Sequence, residues 1–248
     1  METTKKTKEM DMLNGGLAGK LILFSIPLAF SSILQQLFNS ADVAVVGRFA
    51  GDRALAAVGS CVALVGIFVN LIVGFSVGPN AVLANLIGQK RRDKINRMLH
   101  TIMAFGLIAG VILMGLGMLS AKPILEVSGT PESVMNEALL YIRIYFIGIP
   151  FMMIYNFGSA VLRSFGDTRR PMYYLILSGT VNVILNLILV IYFKLGVAGV
   201  AIATVISNIL SAGLVLIYLY RREDEFQFRP QTVSYTHLRA HETCADLV

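Results

Sequence analysis

The chain has 248 residues, 56% of them hydrophobic and only 15% charged, with a formal net charge of +6 and a mean hydropathy of +0.71. A soluble domain carries about 25% charged residues, so the composition excludes an ordinary water-soluble domain and points to an all-α membrane protein that crosses the bilayer several times. The basic balance does not imply nucleic acid, because the basic residues flank apolar runs, and Cys61 and Cys244 alone offer no disulfide framework.

In chain order, residues 1–20 read as a cytoplasmic N-terminal segment. Six apolar runs follow, at 21–46, 54–87, 95–121, 134–162, 171–193 and 197–220. Each is near or above the roughly 20 residues that a helix needs to span a bilayer. An isolated strand cannot satisfy its backbone in lipid, so each run is expected to be helical.

The first run contains Asp42, the one carboxylate set deep in such a segment. A lone acid there costs about 2.5–3.5 kcal/mol by insertion scales, and ionisable groups inside membranes mark ion pathways. A proton or a bound cation neutralises that charge, so ion-coupled transport is the default expectation. Gln35, Gln36, Asn39 and Ser40 precede Asp42, and Pro27 removes a hydrogen bond in the first half of the same run. Pro27 is read either as a tolerated kink or as a hinge.

The second run is long enough to tilt or protrude, and Gly74, Gly78 and Pro79 are candidate bend sites. Between it and the third lies Lys-Arg-Arg at 90–92, a topology anchor rather than a nucleic-acid site. His100 stands alone at the start of the third run and reads as an interfacial surface residue. The fourth run carries Tyr141, Tyr145, Tyr155 and Asn156. The fifth carries Asn182 and Asn186, four apart and so on one helix face. The sixth carries Thr204, Ser207 and Asn208. Singly, such residues serve as interhelical glue worth about 0.6 kcal/mol. As a set, their oxygens suit a desolvated proton or a hard cation such as sodium at Asp42.

Basic residues set the orientation. Lys5, Lys6, Lys8 and Lys20, then Lys90, Arg91, Arg92, Lys94 and Arg97, then Arg163, Arg169 and Arg170, then Arg221 and Arg222 fall on one side. Arg48, Arg53, Lys122 and Lys194 fall on the other. The positive-inside rule places the N-terminus in the cytoplasm. No phosphate-binding Gly-x4-Gly-Lys-Ser/Thr loop occurs, and no nucleophile–base–acid constellation, so the chain reads as a transporter rather than an enzyme, with no cofactor besides a coupling ion.

Residues 223–231 read as the start of a linker. Residues 232–248 break with everything before them. Thr232 to Thr243 resemble the translation of a sequencing-library adapter, with Cys244 and Ala245 as a short index and Asp246, Leu247 and Val248 as further adapter bases. His237, His241 and Cys244 have zinc-like spacing, but within an adapter-derived tail no metal site is expected.

Three segments carry a family signature: Pro27 with Gln35-Gln36-Leu37-Phe38-Asn39-Ser40-Ala41-Asp42 and Val46-Gly47-Arg48; Arg163-Ser164-Phe165-Gly166-Asp167-Thr168-Arg169-Arg170-Pro171; and Gly196-Val197-Ala198-Gly199-Val200-Ala201-Ile202-Ala203-Thr204. In this order they resemble the multidrug and toxic compound extrusion (MATE) family, over residues 10–230. The resemblance implies twelve spans in two six-helix lobes that alternate between outward- and inward-facing states in the bacterial cytoplasmic membrane. Residues 21–222 would be the N-terminal lobe of a longer protein, which alone is expected to insert without pumping. It implies export of cationic, amphipathic small molecules driven by protons or sodium. Asp42 would be the coupling site, ringed by Asn182, Asn186 and Thr204. Gln35, Asn39, Tyr141 and Asn156 would line the substrate cavity, and Pro27 would be the hinge. The chain departs from the pattern at Asn186, where many members have Asp, so one negative charge is missing and both a shared proton and a weaker sodium site stay open. The alternatives are a flippase for lipid-linked saccharides, for which only Arg143 would be a pyrophosphate ligand, and a six-span scaffold or sensor.

Overall fold

A computed structural model describes residues 17–89 and 91–221. The expectations for residues 1–16, the linker at 223–231 and the adapter-like tail with His237, His241 and Cys244 lie outside those residues. The described chain is all-helical: α1 (Leu17–Phe49), α2 (Asp52–Gly88), α3 (Arg92–Val127), α4 (Glu132–Ile147), α5 (Ile149–Ser164), α6 (Arg169–Leu187) and α7 (Gly196–Arg221), with a π-helical turn at Ile188–Tyr192 extending α6.

Five helices are long and apolar enough to cross a membrane singly, and α4 with α5 qualifies as a bent pair. The six expected spans are therefore present, but the fourth is two helices meeting at 43°. The break falls at Gly148, followed by Pro150 in the first turn of α5. Proline lacks the N–H that a continuous helix would use there and fits the start of a new one. The expected bend sites in the second span behave differently. Gly74, Gly78 and Pro79 all sit inside an uninterrupted α2. Beside Pro79, the Ser164 hydroxyl from α5 donates to Asn80 Oδ1 at 2.5 Å.

The core gathers on α5, which packs against α2, α3 and α7. Every residue from Met153 to Leu162 is buried. Small residues on α5 and on its neighbours permit this closeness, the usual device where helices pack in lipid. A Cβ at Gly110 of α3 would lie 2.7 Å from Pro150 Cα, and one at Gly158 of α5 would collide with Val215 of α7. By contrast, α1 packs mainly on α6 and α2 and leaves Ile22, Ile26, Phe30, Ile33 and Leu37 exposed along one stripe.

Polar ties close both ends of the bundle. At one, Gly166 takes φ +83 in the turn between α5 and α6, a conformation open to glycine. Buried Asp167 accepts the Arg170 backbone N–H at 3.1 Å and pairs with its guanidinium, which lies 4.4 Å from the Tyr218 ring centroid of α7. At the other, Arg53 of α2 meets Glu137 of α4 at 2.9 Å and donates to Ser133 O at 2.6 Å. One expectation is corrected here. His100 is not a surface residue but is 2% exposed, with Nδ1 2.8 Å from Asn96 O. The α3 face that carries it turns inward among Ile95, Leu99, Ile102 and Met103, which are also buried.

Candidate ion and substrate site

Asp42 lies on the face of α1 that meets α6. The Asn186 amide Nδ2 donates to Asp42 Oδ1 at 2.5 Å, and the Thr204 hydroxyl of α7 also reaches the carboxyl. Asn182 is the third neighbour, and its amide can face Asp42 in either sense. With nitrogen inward it donates to Asp42 Oδ1 at 2.7 Å, and its oxygen accepts the Thr204 backbone N–H at 3.3 Å. With oxygen inward it accepts from Asn186 Nδ2 at 3.3 Å, while its nitrogen donates to Thr204 Oγ1 at 3.4 Å. A carboxylate only accepts, whereas a protonated carboxyl also donates. The first sense therefore suits the charged acid. The second, which sets two oxygens against each other, suits the acid carrying a proton.

The helical register explains the constellation. Asn182 and Asn186 share a face of α6 at i, i+4 spacing. Thr204 comes one helix later, and α6 and α7 pack together. Asn186 is wholly buried, and its Oδ1 has no partner among the described residues.

On its other side Asp42 opens to a cavity of about 560 Å³, within the 300–1,000 Å³ usual for small-molecule sites. Of the expected cavity residues, Gln35, Asn39, Tyr141 and Asn156 all line it, as do Asn182 and Thr204, but not Asn186, which sits behind Asp42. Asp42 is the one charged side chain among the lining residues. Tyr141 and Tyr145 present rings stacked at 6.2 Å between centroids. Pro27 lies away from the cavity, about four helical turns before Asp42. Its carbonyl accepts the Ser31 hydroxyl at 2.7 Å.

Asn70, Ser178 and Ser211 also line the cavity and were not singled out from sequence. Asn70 and Ser178 each carry a polar group in an apolar run. That signal is visible, but without neighbours in the sequence it cannot be told from interhelical glue. Arg143, the one cation considered for a pyrophosphate, is exposed on α4 and is absent from the lining.

A family model described as MatE matches residues 27–188. The chain is 33% identical over 210 residues to the probable multidrug resistance protein YoeA of Bacillus subtilis, an alignment covering 83% of this chain and 45% of that protein. Among solved structures it is similar to MATE in the bent conformation, with a TM-score of 0.85 and 25% identity over 92% of this chain and 51% of that one. It is likewise similar to an outward-facing multidrug resistance MATE family transporter, with a TM-score of 0.83 and 25% identity, covering 95% and 52%. The chain thus spans about half the length of the relatives it matches.

Proposed function

The chain belongs to the MatE family, and on that premise we propose that it is the N-terminal lobe of an ion-coupled exporter of cationic, amphipathic small molecules. The observation that carries this reading is the single carboxylate Asp42, shared between a polar cradle on α6 and α7 and a cavity with no other charge. An acid in such a place holds either a cationic substrate or the ion that displaces it. The stacked Tyr141 and Tyr145 rings offer a face to an organic cation.

In the unloaded lobe Asp42 is charged, Asn186 and the inward-facing nitrogen of Asn182 donate to it, and a cationic substrate sits in the cavity. An arriving proton cancels the charge, and an amide oxygen of the cradle can accept the new O–H. Substrate loses its counter-charge and leaves. The outer part of α1 then swings about Pro27, where the helix lacks a hydrogen bond. Sodium at Asp42 is the alternative load. Asn186 is neutral, so only one carboxylate would face it.

The distribution of basic residues supports an N-terminus on the cytoplasmic side of a bacterial inner membrane, and the half-length match supports a second, C-terminal lobe closing the cavity. A pyrophosphate-bearing substrate would need cations in the cavity, and neither Arg nor Lys lines it. The test is Asp42→Asn in the intact transporter that carries this lobe. Ion-driven efflux of an organic cation such as ethidium should be abolished with membrane insertion retained, and retained efflux would overturn the proposal.

A further inference from the structure

One turn before Asp42 on α1, the Phe38 ring lies directly on Gly179 of α6. A Cβ built at Gly179 would overlap three atoms of that ring, far inside any carbon–carbon contact. No other glycine in the described chain is met so closely by an aromatic ring. The contact is thus a knob in a notch that exists because position 179 has no side chain. Its register matters. Phe38 is four residues before Asp42, and Gly179 is three before Asn182 and seven before Asn186. Both helices run in the same direction across the bundle, so the notch and the Asp42 hydrogen bonds are successive rungs of one interface, about 5 Å apart along the axes. Before Phe38, α1 leaves an apolar stripe exposed and carries a proline about three turns earlier, whereas Val45 and Val46 beyond Asp42 are buried.

We infer that Phe38 seated on Gly179 is a steric latch that registers α1 against α6 and keeps Asp42 within reach of Asn182 and Asn186. Any swing of the outer part of α1 must first lift Phe38 out of the notch. Gly179 is then a positioning residue: it lines the cavity wall without a side chain and acts by fixing where the carboxyl sits. Phe38 itself lines the cavity, so a bound substrate would lean on the latch from the open side. The inference goes beyond the transport reading, because it concerns the geometry of α1 whether or not the lobe exports anything.

The test uses the full chain in lipid nanodiscs with both cysteines replaced (Cys61→Ala, Cys244→Ala). Spin labels at Leu37 and Thr180, both exposed, report the α1–α6 distance. The rate at which dicyclohexylcarbodiimide modifies Asp42, read by mass spectrometry with Asp42→Asn as blank, reports whether the carboxyl keeps its partners. Gly179→Ala should lengthen the distance and speed modification about fivefold or more. Phe38→Ala creates no clash and should broaden the distance distribution and speed modification similarly. Phe38→Leu/Gly179→Ala pairs a smaller knob with a shallower notch and should return both readouts to within about twofold of the parent. The latch is overturned if Gly179→Ala and Phe38→Ala leave both readouts unchanged, or if the double variant stays as far from the parent as Gly179→Ala alone. Because neither readout involves transport, failed export with an intact latch and a failed latch with intact export are separate results.

Discussion

Helices α5 and α1 cross the same bundle and line the same cavity, yet they are held in opposite ways. From Met153 to Leu162 every side chain of α5 is buried, and it meets its neighbours through absent side chains, at Gly110 and Gly158. Such close packing has few alternative arrangements and resists displacement. Helix α1 is exposed along much of its length, carries Pro27 within an unbroken helix, and is held by the Phe38 notch, the Asp42 carboxyl and the buried Val45 and Val46 near its end. The lobe places the one charge that lines its cavity on its least anchored helix and its cohesion on α5, whose single charge, Arg163, lies in its last turn outside the cavity. An element that must move between two positions gains from few, discrete contacts. The frame it moves against gains from many.

That contrast predicts that changes in α1 alter transport and spare assembly, while changes in α5 do the reverse. The largest effect is expected from Asp42→Asn, with efflux from the intact transporter at the level of cells lacking it and a normal yield of membrane-inserted protein. Efflux assays beside membrane fractionation decide this. Next is Gly158→Leu on α5. Its branched side chain has no room beside Val215, so stability should fall by about 3 kcal/mol or more, seen as loss of the folded species in detergent thermal melts. A transport defect at full stability would erase the distinction between the helices.

Asn186→Asp should have a smaller and more selective effect. A second carboxylate beside Asp42 should raise sodium affinity about tenfold, or 1.4 kcal/mol, measured as a sodium-dependent rise in melting temperature. No gain would argue that the buried Oδ1 of Asn186 does not face the ion. The mildest is Pro27→Ala. Restoring the missing hydrogen bond should stiffen α1, slow efflux about fivefold and leave the melt unchanged or slightly raised. Unchanged efflux would remove Pro27 from the hinge role.

Much of the fold is legible in the sequence, because a hydrocarbon solvent allows so few structures. Hydropathy alone finds the six spans, and Asp42 stands out by its cost. The i, i+4 spacing of Asn182 and Asn186 puts them on one face, and the family signature adds Thr204. What escapes reading depends on contacts distant in the chain. The bend at Gly148 follows from Pro150, yet Pro79 with two nearby glycines leaves α2 unbroken, so proline alone does not decide a break. His100 next to a basic loop looks interfacial until the inward face of α3 is known. The Phe38–Gly179 notch joins residues of unremarkable type, and nothing local to either announces the other.

The π-helical turn at Ile188–Tyr192 begins two residues after Asn186. There the Phe193 N–H reaches back five residues to Ile188 O at 3.1 Å, so this turn holds one residue more than an α-helical turn would. A helix with a residue to spare absorbs a change of length where it stands. The loss of one residue from 188–192 can be taken up by tightening the turn to α-helix, with Asn182, Asn186 and the notch at Gly179 all upstream and undisturbed. The same loss within α5 would rotate every later side chain by about 100° and scatter its buried face. In the terms of a lineage gaining and losing codons, the C-terminal end of α6 is where this lobe is expected to tolerate variation in length beside its most exacting site.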